Sequence, residues 1–570
     1  MTEPAQDEQP SPVVETMDGV AQGGSTLART SLSIALWTLL SRGTGFIRIA
    51  VTAAVLGPTY LSNTFQAVNS LPNTIVYQLL MGSLFVSLLV PALVPHADAG
   101  SPRVVERVAG AFLSLVTAAF AVVSLLTLVC APVLLRLFSA GVPDSIAPAQ
   151  ERVAFLFLVM TLPQTICYGV VSCAIGVMNA YNRFTLAVAA PCIENIVTMA
   201  ALGATALIFG SQHEVTDVSS AEIALLGLGA TGAVALHAAA QWWGVHRLGI
   251  RFRPRAGWRD PDVLALVRRV RPSFSFAALD TLRTVVILGV VNEVAGGVIA
   301  FQLALQLAFL VIALGVTPVA TALLPQLSRL HAAERAQEFR DEMTRGAALV
   351  YFLAIPAVAA YVVLVDPLSR AVSFGEMSGS TGVRLVAVAV LAMAPGILAE
   401  SWFYLAYQAS YARHDPRTPL IAQLVGTAVS FVGIVVAIIV PASPAVVAIL
   451  GGSLSAGQMT SAWYLRRRLR KSLPATRQRI APSLLRAGVA SLLALAPAYA
   501  VLTVTRGPDQ SRASLLAWFL VAAVVALAVY LAVHWLWHSP ELQALRARAR
   551  PGSAPEGPVA DEAAGRLDGP

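Results

Sequence analysis

Apolar runs that each exceed the roughly 20 residues needed to cross a bilayer recur from Arg29 to His538, separated by short polar connections. Lipid offers no partner to a backbone N–H or C=O group. Each run must therefore close its own hydrogen bonds as a helix, unless strands pair into a closed barrel. Barrel strands alternate in polarity over about 10 residues, whereas Leu115 to Val129 and Leu515 to Val533 are long, uncharged and mainly apolar. The expectation is an all-α integral membrane protein with about fourteen spans. Composition agrees: 12% of the residues are charged and 56% hydrophobic, whereas a water-soluble domain carries about a quarter charged residues.

The net charge of +8 does not point to nucleic acid, because the basic residues are spread over short loops, where they set orientation. Arg247, Arg251, Arg253, Arg255, Arg259, Arg268, Arg269 and Arg271 fall in one loop. Arg466, Arg467, Arg468, Arg470, Lys471, Arg477 and Arg479 fall in or beside another. Both are expected in the cytoplasm, together with the turns at Asn182-Arg183 and Arg413 to Arg417 and the tail with Arg546, Arg548 and Arg550. Opposite loops carry few basic residues, such as Arg370, Arg506 and Arg512. The protein is thus expected to be multi-pass in the plasma membrane with both termini cytoplasmic. The loop at 247–271 reads as a solvated orientation signal rather than a binding site for anionic lipid.

The two basic loops divide the chain. Residues 1–28, with Glu3, Asp7, Glu8, Glu15 and Asp18, read as a disordered tail. An N-lobe of six helices follows over 29–248, then the Arg-rich loop 249–271, and a C-lobe of six over 272–468. The basic loop 469–481, a helix pair over 482–538 and a tail over 539–570 complete the chain. The halves repeat. Leu88-Leu89-Val90-Pro91 and Ala322-Leu323-Leu324-Pro325 are offset by 325 − 91 = 234, and Arg183-Phe184-Thr185-Leu186 and Arg417-Thr418-Pro419-Leu420 by 417 − 183 = 234. An even number of spans per half makes such repeats parallel, and paired halves of this kind usually enclose a central cavity.

No phosphate-binding loop, zinc-protease motif or nucleophile elbow is present, so a transporter is expected rather than an enzyme, with no cofactor. Cys130, Cys167, Cys173 and Cys192 lack CxxC spacing and read as small hydrophobes. His534 and His538 are four apart, a metal-ligand spacing, but Trp535 and Trp537 between them favour an interfacial anchor. No metal site is expected.

Charges at membrane depth are informative because each costs at least a few kcal/mol unless it faces a partner or a wet cavity. Arg42 and Arg48 interrupt the first span in Ser41-Arg42-Gly43-Thr44-Gly45-Phe46-Ile47-Arg48. A guanidinium pairs bidentately with phosphate and keeps its charge when buried; the bland alternative is snorkelling or a structural pair. Asp280 and Arg283 share a helix face and read equally as a structural pair or a cavity site. Glu194 and Glu400 are isolated carboxylates, suited to charge balance or to coupling. Pro72, Pro91, Pro163, Pro191, Pro318, Pro325, Pro356 and Pro395 lie within or at the ends of spans, as plain kinks or as hinges of a cavity.

Met178-Asn179-Ala180-Tyr181-Asn182-Arg183-Phe184 with Ala190-Pro191 and Asn195 resembles the fourth-to-fifth turn of the MurJ/MviN family. Ser41-Arg42, Gly45-Phe46 and Arg48, Leu71-Pro72-Asn73, Leu323 to Ser328 and Tyr411 to Pro419 resemble further family motifs. The resemblance covers roughly residues 30 to 540. It implies fourteen helices, two six-helix lobes around a central cationic cavity, a lipid-facing groove on the last helix pair, and transport of an undecaprenyl-pyrophosphate-linked peptidoglycan precursor. Arg42 and Arg48 then stand at cavity arginines. Departures are equally specific: Val76-Tyr77 and Met81 replace an arginine pair and a glutamate, Asn63 stands at an acidic position, and Leu305-Gln306 and Phe309 replace Asp-Arg and Glu. Arg283 is a candidate to restore lost positive charge.

The substrate set implied is therefore Arg42, Arg48, Asn63, Arg283 and Gln306, with Asp280, Glu194 and Glu400 for charge balance or coupling. The partners implied are a lipid-linked precursor, membrane lipids and cell-wall synthesis proteins, with no nucleic acid. Two alternatives compete: an exporter of an amphiphilic peptide or secreted metabolite, and a non-transporting membrane scaffold.

Overall fold

The computed structural model describes residues 17–73, 86–211, 213–251, 253–255, 279–505 and 512–549. Among these there is no strand, as expected of backbone that must satisfy itself in lipid. Twelve described segments are long and apolar enough to cross a membrane. The second and seventh expected spans run into residues 74–85 and 256–278, outside the described set, as do the departures at Val76, Tyr77 and Met81, Arg259, Arg268, Arg269 and Arg271 of the Arg-rich loop, and the last 21 residues, 550–570.

The chain divides into two compact units, Met1–Ile299 and Ala300–Pro570. In the first, α1 (Met17–Leu56), α2 (Tyr60–Leu71), α3 (Val86–Asp98) and α4 (Pro102–Phe138) lead to α5 (Ala147–Thr161) and α6 (Pro163–Ala180). The short α7 (Phe184–Ala189), α8 (Pro191–Phe209) and α9 (Ser220–His246) follow, and residues 279–291 are helical. Helix α1 starts inside the stretch expected as a tail, because extending an existing helix costs far less than nucleating one. Pro163 and Pro191 sit in first helical turns, where a missing N–H costs nothing. They break two apolar runs into α5–α6 and α7–α8. Among the described residues the core of this unit includes a cluster around Phe112, Phe120 and Tyr168 and another around Phe65, Phe157 and Leu226.

At the end of α9 the described part of the Arg-rich loop is docked. Arg251 N–H and the Arg255 guanidinium both donate to Glu106 of α4, at 2.7 and 3.3 Å.

The second unit holds α10 (Gly297–Val311), which begins just before the boundary, α11 (Thr317–Ala332), α12 (Ala336–Val363) and α13 (Val365–Val372). Then come α14 (Ser380–Ala412), α15 (Arg417–Ile439), α16 (Pro444–Ser472), α17 (Ala481–Val504), α18 (Arg512–Leu536) and α19 (Pro540–Ala549). A π-helical turn, Ile312–Val316, precedes Pro318, where the wider turn relieves the clash of the proline ring with the preceding carbonyls. His534 is buried between Phe352 and Tyr530, ring centroids 4.7 and 4.6 Å away. It is a packed aromatic neighbour, while Trp535 and Trp537 beside it are exposed. No group of metal ligands occurs among the described residues.

The internal repeat extends to backbone geometry. Helix α3 ends with Gly100 at φ 62°, Ser101 N–H donating to His96 C=O at 3.0 Å; α11 ends with Glu334 at φ 56°, Arg335 N–H donating to Leu330 C=O at 3.0 Å. This is the left-handed helix stop, at an offset of 334 − 100 = 234, as in the sequence. The stops after α6 and α14 use Asn182 and His414 in the same way.

Candidate functional site

Helices α1, α6, α8 and α9 of the first unit bring four of its polar residues to one place. Helix α1 lies on α8, α8 on α9 and α9 on α6. Asn195 of α8 fixes the first contact: its amide donates to Thr44 Oγ1 at 3.0 Å and to the Ser41 carbonyl at 3.4 Å. This orients the Ser41–Arg48 segment, exposing Arg42 and turning Arg48 inward. Arg48 Nε is buried and makes no hydrogen bond among the described residues.

One residue before Asn195, Glu194 projects between α6 and α9. Tyr168 Oη donates to Glu194 Oε1 at 2.9 Å, and His237 Nδ1 lies 2.9 Å from Glu194 Oε2. His237 is 2% exposed. Asn73 donates to the Tyr168 hydroxyl at 3.4 Å, and Gln241, one turn along α9, stands 3.5 Å from His237 Nε2. Arg48 stands one turn along α1 from Thr44, which Asn195 holds, so the contact of α1 with α8 brings its guanidinium toward the Glu194 cluster. The result is an intramembrane cation–carboxylate–imidazole cluster, whose net charge is set by whether the imidazole holds a second proton.

The other expected residues of this unit lie elsewhere. Arg283 is 4% exposed; it pairs through Nη2 with Asp280, while Nε and Nη1 are buried and have no partner among the described residues. Buried guanidinium nitrogens that lack acceptors carry a desolvation cost which an anionic ligand would relieve. Asn63 is wholly buried and committed to backbone: its amide donates to Asn292 C=O at 3.3 Å and Val294 C=O at 2.8 Å, and its oxygen accepts from Val298 N–H at 3.0 Å. Gln150 joins that anchor through Asn292 Oδ1 at 2.9 Å and Thr64 at 3.1 Å. In the second unit Gln306 is half-buried on α10 and Glu400 half-buried on α14.

Reading the sequence for charges found Arg48 and Glu194 but missed His237 and Tyr168. His237 carried a usable signal, an ionisable residue alone in the apolar stretch from Ala230 to Ala240. Tyr168 carried none, since a tyrosine in a span reads equally well as core.

Comparison with known proteins identifies the family and the fold. A family model described as lipid II flippase MurJ matches residues 52–532. The probable lipid II flippase MurJ of Rhizobium meliloti is 26% identical over 404 residues, 69% of this chain and 72% of that one. The lipid II flippase MurJ of Burkholderia cenocepacia is 24% identical over 410 residues, 69% and 75% of the two chains. Among solved structures, a lipid II flippase MurJ in an inward closed conformation superposes with TM-score 0.64 at 18% identity, covering 89% of this chain and 98% of that one. An inward-facing multidrug transporter of the MATE family gives 0.58 at 12% identity, over 77% and 95%.

Proposed function

The chain belongs to the MurJ lipid II flippase family, and from that premise we propose that it moves a polyprenyl-pyrophosphate-linked cell-wall precursor from the inner to the outer leaflet. The reading is of a transporter, not an enzyme: alternating access between two lobes exposes the same arginines to each side in turn, and no covalent step is needed. Termini and basic loops face the cytoplasm by the distribution of arginine.

The observation that carries the reading is the state of the arginines. Arg48 and Arg283 both hold buried guanidinium nitrogens without acceptors inside an apolar fold. A doubly esterified pyrophosphate supplies two negative charges, one on each phosphate, with oxygens in the geometry a guanidinium fork matches. Arg42, exposed on α1, adds a second cation to that helix, and Gln306 offers an amide on α10. Asp280 balances Arg283 and Glu194 balances Arg48 in the first unit, while Glu400 is the corresponding carboxylate proposed for charge balance in the second. Asn63, with its side chain engaged on the 292–298 backbone, is assigned to holding that loop rather than to substrate. Cell-wall synthesis proteins are natural neighbours for a protein delivering their substrate.

The test is expression in cells depleted of their own lipid II flippase, followed by growth and by exposure of labelled lipid II at the outer surface. Rescue is expected, with Arg48→Ala and Arg283→Ala each lowering outward exposure at least roughly tenfold, the loss of one charge-assisted pair or more. A folded, membrane-inserted wild-type protein that leaves lipid II inside would overturn the reading and favour export of another amphiphile.

A further inference from the structure

The Glu194–His237 pair is more than a structural tie between α8 and α9. A carboxylate whose two oxygens are held by a tyrosine hydroxyl and an imidazole is already neutralised if that imidazole is protonated. If it is not, the cation that the α1–α8 contact brings to the same place is Arg48, one turn along α1 from the Thr44 that Asn195 holds, and among the described residues its Nε has no hydrogen-bond acceptor. The two demands on Glu194 compete.

We infer that Glu194 and His237 form a proton-binding site that switches Arg48 between balancing Glu194 and binding the pyrophosphate of the substrate. With His237 neutral, the charge of Arg48 is compensated by Glu194. With His237 protonated, Glu194 is compensated from α9, and the positive field of Arg48 is available to an anion. Proton and anionic lipid then bind with positive coupling, and by reciprocity substrate binding draws a proton onto the pair.

The surroundings leave few other sources of such a response. From α6 the titratable groups are Tyr168 and the thiols Cys167 and Cys173, from α8 they are Glu194 and the thiol Cys192, and the α1 cations are Arg48 and the exposed Arg42; thiols carry no charge between about pH 6 and 8 when buried in apolar surroundings. Helices α2 and α7 carry no charged residue. On α5 the charges are Glu151 and Arg152, near its start, and Glu151 accepts from Ser139 at 2.6 Å. On α9 itself, Glu222 pairs with His213 at one end and His246 closes the other. Gln241 and Asn73, the remaining polar neighbours, do not titrate.

This inference rests on the proposed substrate class, so its experiment separates the two. Binding of lipid II to the full chain in nanodiscs is measured from pH 8 to pH 6, a range in which its doubly esterified pyrophosphate keeps constant charge. Wild type is expected to bind roughly fivefold or more tightly at pH 6 than at pH 8. His237→Asn keeps a donor for Glu194 but cannot gain charge; binding should stay at the weak, high-pH level throughout. Glu194→Gln releases Arg48 permanently; binding should stay at the tight level throughout. Opposite displacement by two changes at one contact is not what misfolding produces. Equal affinity across the range in wild type, or both variants shifting the same way, overturns the switch while leaving the function intact. Absence of binding at every pH removes the function and the switch together.

Discussion

Helices α8 and α9 in the first unit and α15 and α16 in the second occupy equivalent places in the repeat, yet they are held together by different physics. Between α8 and α9 the tie is ionisable, Glu194 against His237 at 2.9 Å. Between α15 and α16 it is close approach of backbones. A Cβ on Gly426 would fall 1.9 Å from Ser461 Oγ and 2.4 Å from Gly457 O, and one on Gly457 would fall 2.0 Å from Ser430 Oγ. Ser430 also donates to Ser453 C=O at 3.0 Å. Small residues give helices in lipid their strongest dispersion contacts, but such a seam has one state. An ion pair at the same place has two, and only the first unit can respond there to a proton or an anion.

The largest expected effect breaks the second seam. Gly426→Leu should cost about 3 kcal/mol or more, since backbone and not a flexible tip blocks the added atoms. It would appear as loss of monodisperse protein on mild heating in detergent. Gly203→Ala in α8, where a Cβ meets nothing within 4 Å, should instead be neutral or stabilise by a few tenths to 1 kcal/mol. Equal sensitivity at both positions would dissolve the contrast.

Next in size is the anchor in the first unit that, unlike the ion pair, is fully paired. Asn63→Ala leaves the Val298 N–H and two carbonyls without their partner, a loss of about 2 to 3 kcal/mol. Hydrogen exchange at Val298 should quicken, with transport falling only in proportion to folded protein. A larger specific loss of transport would return Asn63 to the substrate site.

The smallest effect concerns α19. Burial alone would raise the Glu541 carboxyl, but hydrogen bonds from Ser483, from its own backbone N–H and from the Arg486 guanidinium outweigh it and hold it below its ordinary value of 4.5. Docking of α19 on α17 is therefore fully supported above that value and is lost as pH falls through the lowered one. Arg486→Ala should move release of α19 to higher pH, read by hydrogen exchange at Leu542 and Leu545. No change would place the hold in the apolar contacts of Leu542 with Phe352 and Tyr530.

Much of this was legible beforehand because it depends on local or periodic chemistry. A run of apolar residues has one way to satisfy its backbone in lipid, so helices followed from composition. The 234-residue repeat showed in Pro91 and Pro325 before it showed in the left-handed stops at Gly100 and Glu334. Arg48 and Glu194 stood out because charge in hydrocarbon must have a reason. What residue order did not reveal is who meets whom across helices. His237 lies 43 residues from Glu194 and Tyr168 lies 26 before it, and nothing periodic links such positions. Nor did the acidic-position match at Asn63 show that its amide would be consumed by a loop 229 to 235 residues away. Span, orientation signal and repeat are properties of one helix or of its spacing along the chain. Pairing of buried charges is decided only when packing brings helices within 3 Å of each other's side chains, where the cost of an unpaired ion selects the partner.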